Sequence, residues 1–117
     1  MKSGKVWGEA FDVCRRNGVQ VNVIRVAPGY RCSRHSHRHK SNMFHVHAGA
    51  LTVKVEKEYG LTDKTRLTAG QSMTVAPGEV HWFENTGIED VVALEVYWAE
   101  LDENDIERAN SGGRIGE

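Results

Sequence analysis

The chain is poor in cysteine: Cys14 and Cys32 are the two thiols, and no CxxC pair is present. Two cysteines could form one bond, but a disulfide-dense secreted scaffold and a dithiol redox motif are both excluded. No apolar run approaches the roughly 20 residues that a membrane-spanning helix needs. The opening MKSGKVWGEA has no long apolar stretch of the kind a signal peptide carries. A soluble, cytoplasmic protein with free thiols is therefore expected, without a membrane partner. Excess charge of one sign is lacking too. Lys+Arg total 15 against 16 Asp+Glu, a formal net charge of -1, and the basic residues form no long run. That argues against a dedicated nucleic-acid surface. Solenoid repeats and low-complexity segments are absent. The 117 residues, 39% hydrophobic and 26% charged, suit one modest core and one domain over 1–117.

What is present is a series of short strands between glycine-bearing turns. The segment from Gly18 to Gly29, GVQVNVIRVAPG, is β-branched and alternating, and predicts a strand ending at Pro28-Gly29. RCSRHSH reads as a second strand. MFHVHAG and ALTVKVE flank Gly49, which reads as a hairpin turn. EYGLTDKTRLTAGQ reads as polar turns around a short strand. SMTVAPGEVHWFEN reads as two strands about Pro77-Gly78, and DVVALEVYWAE as a further strand. In LDENDIERANSGG, Asp102 can cap a short helix that Gly112-Gly113 ends. Many short strands at close spacing indicate an all-β sandwich or barrel.

Histidine is the residue in excess. Five of the six histidines, His35, His37, His39, His45 and His47, crowd into one short stretch, and His81 stands apart. Residues two apart on a strand share a face, so His35 and His37 project together and can hold one metal between their imidazoles. His81, after a Pro-Gly turn, is the candidate third ligand, and Asn42 the candidate fourth. Neutral imidazole suits a divalent transition metal such as zinc, iron, nickel or manganese. Asn42 either ligates through its amide oxygen or hydrogen-bonds a metal-bound water. His39 shares the parity of His35 and His37 and is a candidate for touching substrate. If Asn42 points inward, Phe44 and Val46 do too, leaving Met43, His45 and His47 outward.

The spacings carry more information than the histidines alone. Gly29 is followed after five residues by His35, after one by His37, after four by Asn42 and after six by Gly49. Gly70, Gly78, His81 and Asn85 form a second such pattern, with its proline displaced by one to Pro77. These two motifs resemble the paired motifs of the cupin superfamily, with Asn42 where cupins usually carry Glu. The resemblance implies an all-β cupin, a double-stranded β-helix or jelly-roll barrel, here with a short C-terminal helix. The likeness extends to the cupin domain of type II mannose-6-phosphate isomerases, found in bifunctional isomerase/mannose-1-phosphate guanylyltransferases. It is carried by Trp7-Gly8, Val26-Ala27-Pro28-Gly29, SRHSHRHKSNMFHVHAG, the run from Ala76 to Asn85, and Asp105-Ile106-Glu107-Arg108 with Gly113-Arg114. That family's metal positions fall on His35 (usually Gln), His37, Asn42 (usually Glu) and His81. Its basic residue falls on Lys40, its aromatic on Phe44, and the Arg of its closing Gly-Arg, held to serve catalysis, on Arg114.

The resemblance implies an aldose–ketose sugar-phosphate isomerase that moves a proton between adjacent carbons. Lys40, Glu95, His39 and Glu84 are candidate bases, and Lys40 and Arg114 candidate cations for a phosphate. Each has a structural reading beside the catalytic one: Glu95 solvated on the outside of its strand, Lys40 a turn charge, Arg114 a tail charge. Three histidines without a carboxylate also fit a metal-dependent dioxygenase-type cupin. The altered ligand set and the absent guanylyltransferase domain fit a non-catalytic carbohydrate-binding module. The outward Met43, His45, His47 and Trp82 suggest a homodimer.

Overall fold

A computed structural model describes residues 2–99. The expected C-terminal helix and Arg114 lie outside them. Among the described residues nine strands follow one another: β1 (Lys2–Lys5), β2 (Gly8–Arg16), β3 (Val19–Val26), β4 (Ser41–Ala48), β5 (Leu51–Glu56), β6 (Thr62–Leu67), β7 (Ser72–Val75), β8 (His81–Glu84) and β9 (Val91–Trp98). They form a six-stranded sheet, β1-β2-β3-β9-β4-β7, and a three-stranded sheet, β6-β5-β8. The core lies between the two: Ile24, Phe44, Val46 and Ala93 from the large sheet meet Leu51, Val53 and Phe83 from the small one. The alternation on β4 holds, with Asn42, Phe44 and Val46 buried and Met43, His45 and His47 less covered.

Two expected connections differ. Gly49 is not a hairpin turn, because β4 pairs with β9 and β7 whereas β5 pairs with β6 and β8. The chain there leaves one sheet for the other. A Cβ on Gly49 would stand 2.7 Å from the Asp90 carbonyl oxygen, at a φ of +81 that L side chains rarely adopt, so glycine is required at this crossing. The second difference concerns RCSRHSH, which is not a continuous strand. It runs along β8 and touches it at two isolated bridges, Arg31 to Glu84 and His35 to His81.

The hairpin β2–β3 was not expected, although its signal was present. Asn17-Gly18 separates two alternating runs, and both residues take positive φ, 50 and 79, as a two-residue hairpin loop requires. Gly8, the first residue of β2, lies against β3 so closely that a Cβ would collide with the Arg25 carbonyl oxygen.

Asn85 of the second motif is a structural hub. Its buried amide nitrogen donates to the carbonyls of Val26 and Glu89, at 2.9 and 2.7 Å, and its oxygen accepts from the Gly87 N–H at 3.0 Å. Replacing it with Ala strands these groups, at roughly 1 kcal/mol or more each. Chemical denaturation of Asn85→Ala should show a loss of about 2–4 kcal/mol, and a loss under about 0.5 kcal/mol would contradict this role.

Candidate metal centre

The segment after β3 reaches the small sheet by backbone pairing. His35 N–H donates to the His81 carbonyl at 3.1 Å, and His81 N–H returns the bond to His35 at 2.8 Å. A doubly bonded antiparallel pair puts both side chains on one side. The Gly78 N–H donates to the His37 carbonyl at 2.7 Å, so the Pro77-Gly78 turn holds His37 in turn. Among the described residues, His35, His37 and His81 form a group in which one ring nitrogen from each lies within 4.8 Å of the others. Ring centroids are 4.9 Å apart for His35–His37, 4.6 Å for His35–His81 and 5.5 Å for His37–His81.

The ring tautomers follow from their outer partners. Nδ1 of His35 lies 2.6 Å from the Ser33 carbonyl, and Nδ1 of His81 lies 3.0 Å from the Glu79 carbonyl. A carbonyl only accepts, so each Nδ1 carries the hydrogen and each Nε2 keeps its lone pair. Nε2 of His37 is buried without a hydrogen-bond partner, as is Oδ1 of Asn42. Asn42 is 1% exposed, and its Nδ2 stands 3.3 Å from Nε2 of His81. Buried acceptors are costly without a partner, and a bound cation supplies one. An ion about 2.1 Å from each nitrogen holds tetrahedral ligands about 3.4 Å apart, so the rings would draw in by up to about 1.4 Å around it. The donor set fits a divalent transition metal such as zinc, iron, nickel or manganese.

A cavity of about 400 Å³ opens beside this cluster. His35 and His37 line it, whereas His81 and Asn42, each 1% exposed, do not. Its interior also presents Glu95, which is 8% exposed and accepts a hydrogen bond from Nδ2 of Asn22 at 3.2 Å. Burial pushes the Glu95 carboxyl up from its usual value, against the hydrogen bonds of Asn22 and Tyr97. Burial first, and then the neighbouring Glu95, raises Tyr97. Trp7, packed edge-on to Phe83 at 5.0 Å, walls another side. Lys5, Arg15 and Lys40 also line the cavity, with Lys40 standing 4.7 Å over the Tyr97 ring.

Several expected site residues stand elsewhere. His39 is exposed and outside the cavity lining, because the chain bends at Arg38–His39 and the parity shared with His35 and His37 ends there. Phe44 is fully buried and meets Phe83 at 5.7 Å and His81 at 6.3 Å, so it supports the site from the core rather than facing substrate. Glu84 pairs with Lys54 at 2.9 Å and takes the Trp82 indole N–H at 3.1 Å, on the outer side of the small sheet. Glu95 faces inward, not solvent. Asn22, Tyr97, Lys5 and Arg15 were not anticipated. Asn22 had a signal, a polar residue at a core-facing position of a β-branched strand. Lys5 and Arg15 required the unrecognised β1–β2 arm.

Burial, reinforced by His35, His81 and Lys40, pushes the His37 imidazole down to about 4, and burial lowers His81 as well. Between about pH 6.5 and 4 the unfolded chain thus binds more protons than the folded one, and stability falls as pH drops through that window. Glu95, raised instead, acts in the opposite sense. Chelated protein should lose stability across this range in denaturation experiments, and His37→Gln should flatten the slope. An unchanged slope would contradict the buried, neutral imidazole.

Residues 22–97 match the model of the cupin domain family, Cupin_2. Germin-like protein 3-7 of Oryza sativa subsp. japonica is 28% identical over 101 residues, 86% of this chain and 42% of that protein, so the chain spans under half of this relative's length. CapF of Staphylococcus aureus, a capsular polysaccharide assembling protein, is similar in fold with a TM-score of 0.77 at 19% identity, over 90% of this chain and 30% of its own. KdgF from Halomonas sp. gives a TM-score of 0.72 at 17% identity, over 86% of each chain. Oxalate decarboxylase of Lactobacillus farciminis gives 0.73 at 17% identity, over 89% of this chain and 33% of its own. With its paired motifs, its two facing sheets and its histidine cluster at their junction, the chain belongs to the cupin domain family.

Proposed function

We propose that this cupin is a metal-dependent enzyme catalysing proton transfer on a small, oxygen-rich anionic substrate, with aldose–ketose isomerisation of a sugar phosphate as the leading reaction. The observation that carries the proposal is Glu95: a buried carboxylate in the same cavity as two of the three clustered histidines. His35, His37 and His81 would hold the ion, with Asn42 presenting an amide as the fourth donor. When bound, a divalent metal polarises a carbonyl and stabilises negative charge on adjacent oxygens.

The remaining work falls to the chain. A carboxylate out of water is a stronger base than one in solvent, which suits removal of a proton from a carbon beside a carbonyl. Glu95 takes that proton and returns it to the neighbouring carbon, so no atom or electron is gained or lost. Asn22 fixes the carboxylate through its amide donor. Lys40 and Arg15 supply positive charge for the substrate's anionic group. The sugar-phosphate assignment is supported by the motif resemblance to type II mannose-6-phosphate isomerases.

A second reading, oxidative chemistry of the dioxygenase type, is favoured by the donor set itself. Three imidazoles and a neutral amide leave an ion more positive than a carboxylate-bearing site would.

Metal-loaded protein incubated with mannose 6-phosphate and fructose 6-phosphate in D2O should incorporate deuterium at the carbon beside the carbonyl, read by NMR. Glu95→Gln should slow this about 10²–10⁴-fold while metal content stays unchanged. Exchange that survives Glu95→Gln would remove the carboxylate from the mechanism. Oxygen uptake with no exchange would favour the second reading.

A further inference from the structure

One row of residues joins the histidine cluster to the tip of the β2–β3 hairpin. The register sets Asn42 on β4 beside Tyr97 on β9, Tyr97 beside Gln20 on β3, and Gln20 beside Arg15 on β2. Tyr97, Gln20 and Arg15 all line the cavity. Arg15 reaches this side through a β-bulge. Asp12 pairs with Asn22 and Cys14 with Val21, so Val13 is an extra residue in β2. Strict alternation would leave Arg15 on the side of Phe11 and Val13, which are 51% and 55% exposed. The bulge shifts the parity, and Arg15 lines the cavity together with Asp12.

Beyond Arg15 lies a second hollow, of about 290 Å³, which reaches to the Asn17-Gly18 turn. It shares Arg15, Gln20, Lys40 and Tyr97 with the main cavity, so these four residues stand where the two spaces meet. Arg16 lines the outer hollow and not the main cavity. Among the described residues no carboxylate lines this hollow. Its cations are also less engaged than others on the surface. Lys2, Arg25, Lys54 and Lys57 each stand within 3.1 Å of a carboxylate oxygen. Arg15 keeps 3.9 Å from Asp12, and Arg16 and Lys40 form no ion pair among the described residues. The Lys40 ammonium rests 4.7 Å over the Tyr97 ring, which holds it at the boundary and leaves N–H donors for an anion.

We propose that this hollow is a phosphate subsite, taking the far end of an extended substrate whose reacting carbons lie at the histidines. The inference rests on the reading of the cavity as an active site for an anionic substrate, and it names the class: a phosphate ester long enough to pass Tyr97. Two guanidiniums and an ammonium lining one hollow favour phosphate over carboxylate. A terminal phosphate offers three acceptor oxygens and more than one negative charge, and guanidinium binds it with two parallel N–H donors. The register sets the length. Neighbouring strands about 4.8 Å apart place the backbones of Asn42 and Arg15, three strands apart, about 14 Å from each other. Their side chains close part of that distance. An open-chain sugar phosphate spans the remainder, whereas a compact diacid held at the histidines would leave Arg16 without a contact.

Isothermal titration calorimetry of the full, metal-loaded chain at low salt, with inorganic phosphate as the probe, tests the subsite without turnover. A single phosphate should bind per chain. Arg16→Ala should weaken it about tenfold or more, and Arg16→Glu should abolish it, with metal content and circular dichroism unchanged. Arg66→Ala, on β6, removes the same charge elsewhere and should leave binding intact. A folded His37→Ala variant should keep it too, which separates this anion from one held by the metal. Phosphate binding that survives Arg16→Glu, or that is lost in folded His37→Ala, overturns the proposal. So does an absence of binding, or acetate bound as tightly as phosphate. Phosphate binding with the expected dependence, beside sugar phosphates that show no exchange in D2O, leaves the subsite standing and removes the isomerase reading.

Discussion

The reciprocal backbone pair between His35 and His81 is the contact on which the site depends. It is an isolated bridge, one pair of hydrogen bonds rather than a ladder. It nevertheless brings together two motifs distant in sequence and sets two imidazoles on one side of the same junction. Each imidazole then spends its Nδ1 hydrogen on a carbonyl two residues before it, Ser33 for His35 and Glu79 for His81. The same local turn that delivers each residue therefore also sets its tautomer. His37 enters without such a partner, and its Nε2 is left buried and unbonded.

A protein of this size can sustain few buried polar groups unless they are paired. This one buries Asn22, Asn42, His81, Asn85 and Glu95 among its core residues. Two of these are accounted for by folding alone: Asn85 ties Val26, Gly87 and Glu89, and Asn22 bonds Glu95. Asn42 is not, and like His37 it keeps a buried acceptor without a hydrogen-bond partner beside His81. The exchange of carboxylate for amide at Asn42 removes an anion from a site already built of neutral donors. Cation affinity then rests on the three imidazoles, while Glu95 remains the cavity's buried carboxylate.

Much of this was legible in the sequence, for definite reasons. Period-two alternation on β3, β4 and β9 survives because one face must be buried, so the inward Asn42, Phe44 and Val46 could be read directly. The fixed intervals around His35, His37 and His81 encode a turn and a crossing as well as ligands. What was not legible depended on pairing. Gly49 looks like a hairpin glycine because local sequence cannot say that β4 and β5 join different sheets. His39 looks inward until the bend at Arg38–His39 ends the alternation. The contribution of Lys5 and Arg15 to the cavity required knowing that β2 folds back on β3. Phe44 aligned with a substrate-facing aromatic by motif, yet its neighbours Phe83 and His81 make it a core residue.

The central claim is that His35, His37 and His81 hold one transition-metal ion, with Asn42 in place of a carboxylate. Elemental analysis of the chain purified without a histidine tag, beside a His37→Ala variant, tests it most directly. The account predicts about one equivalent of metal per chain in the unaltered protein, lost in a variant that remains folded. A chain that stays metal-free after exposure to zinc, iron, nickel and manganese, or a His37→Ala variant that keeps its metal, would contradict it.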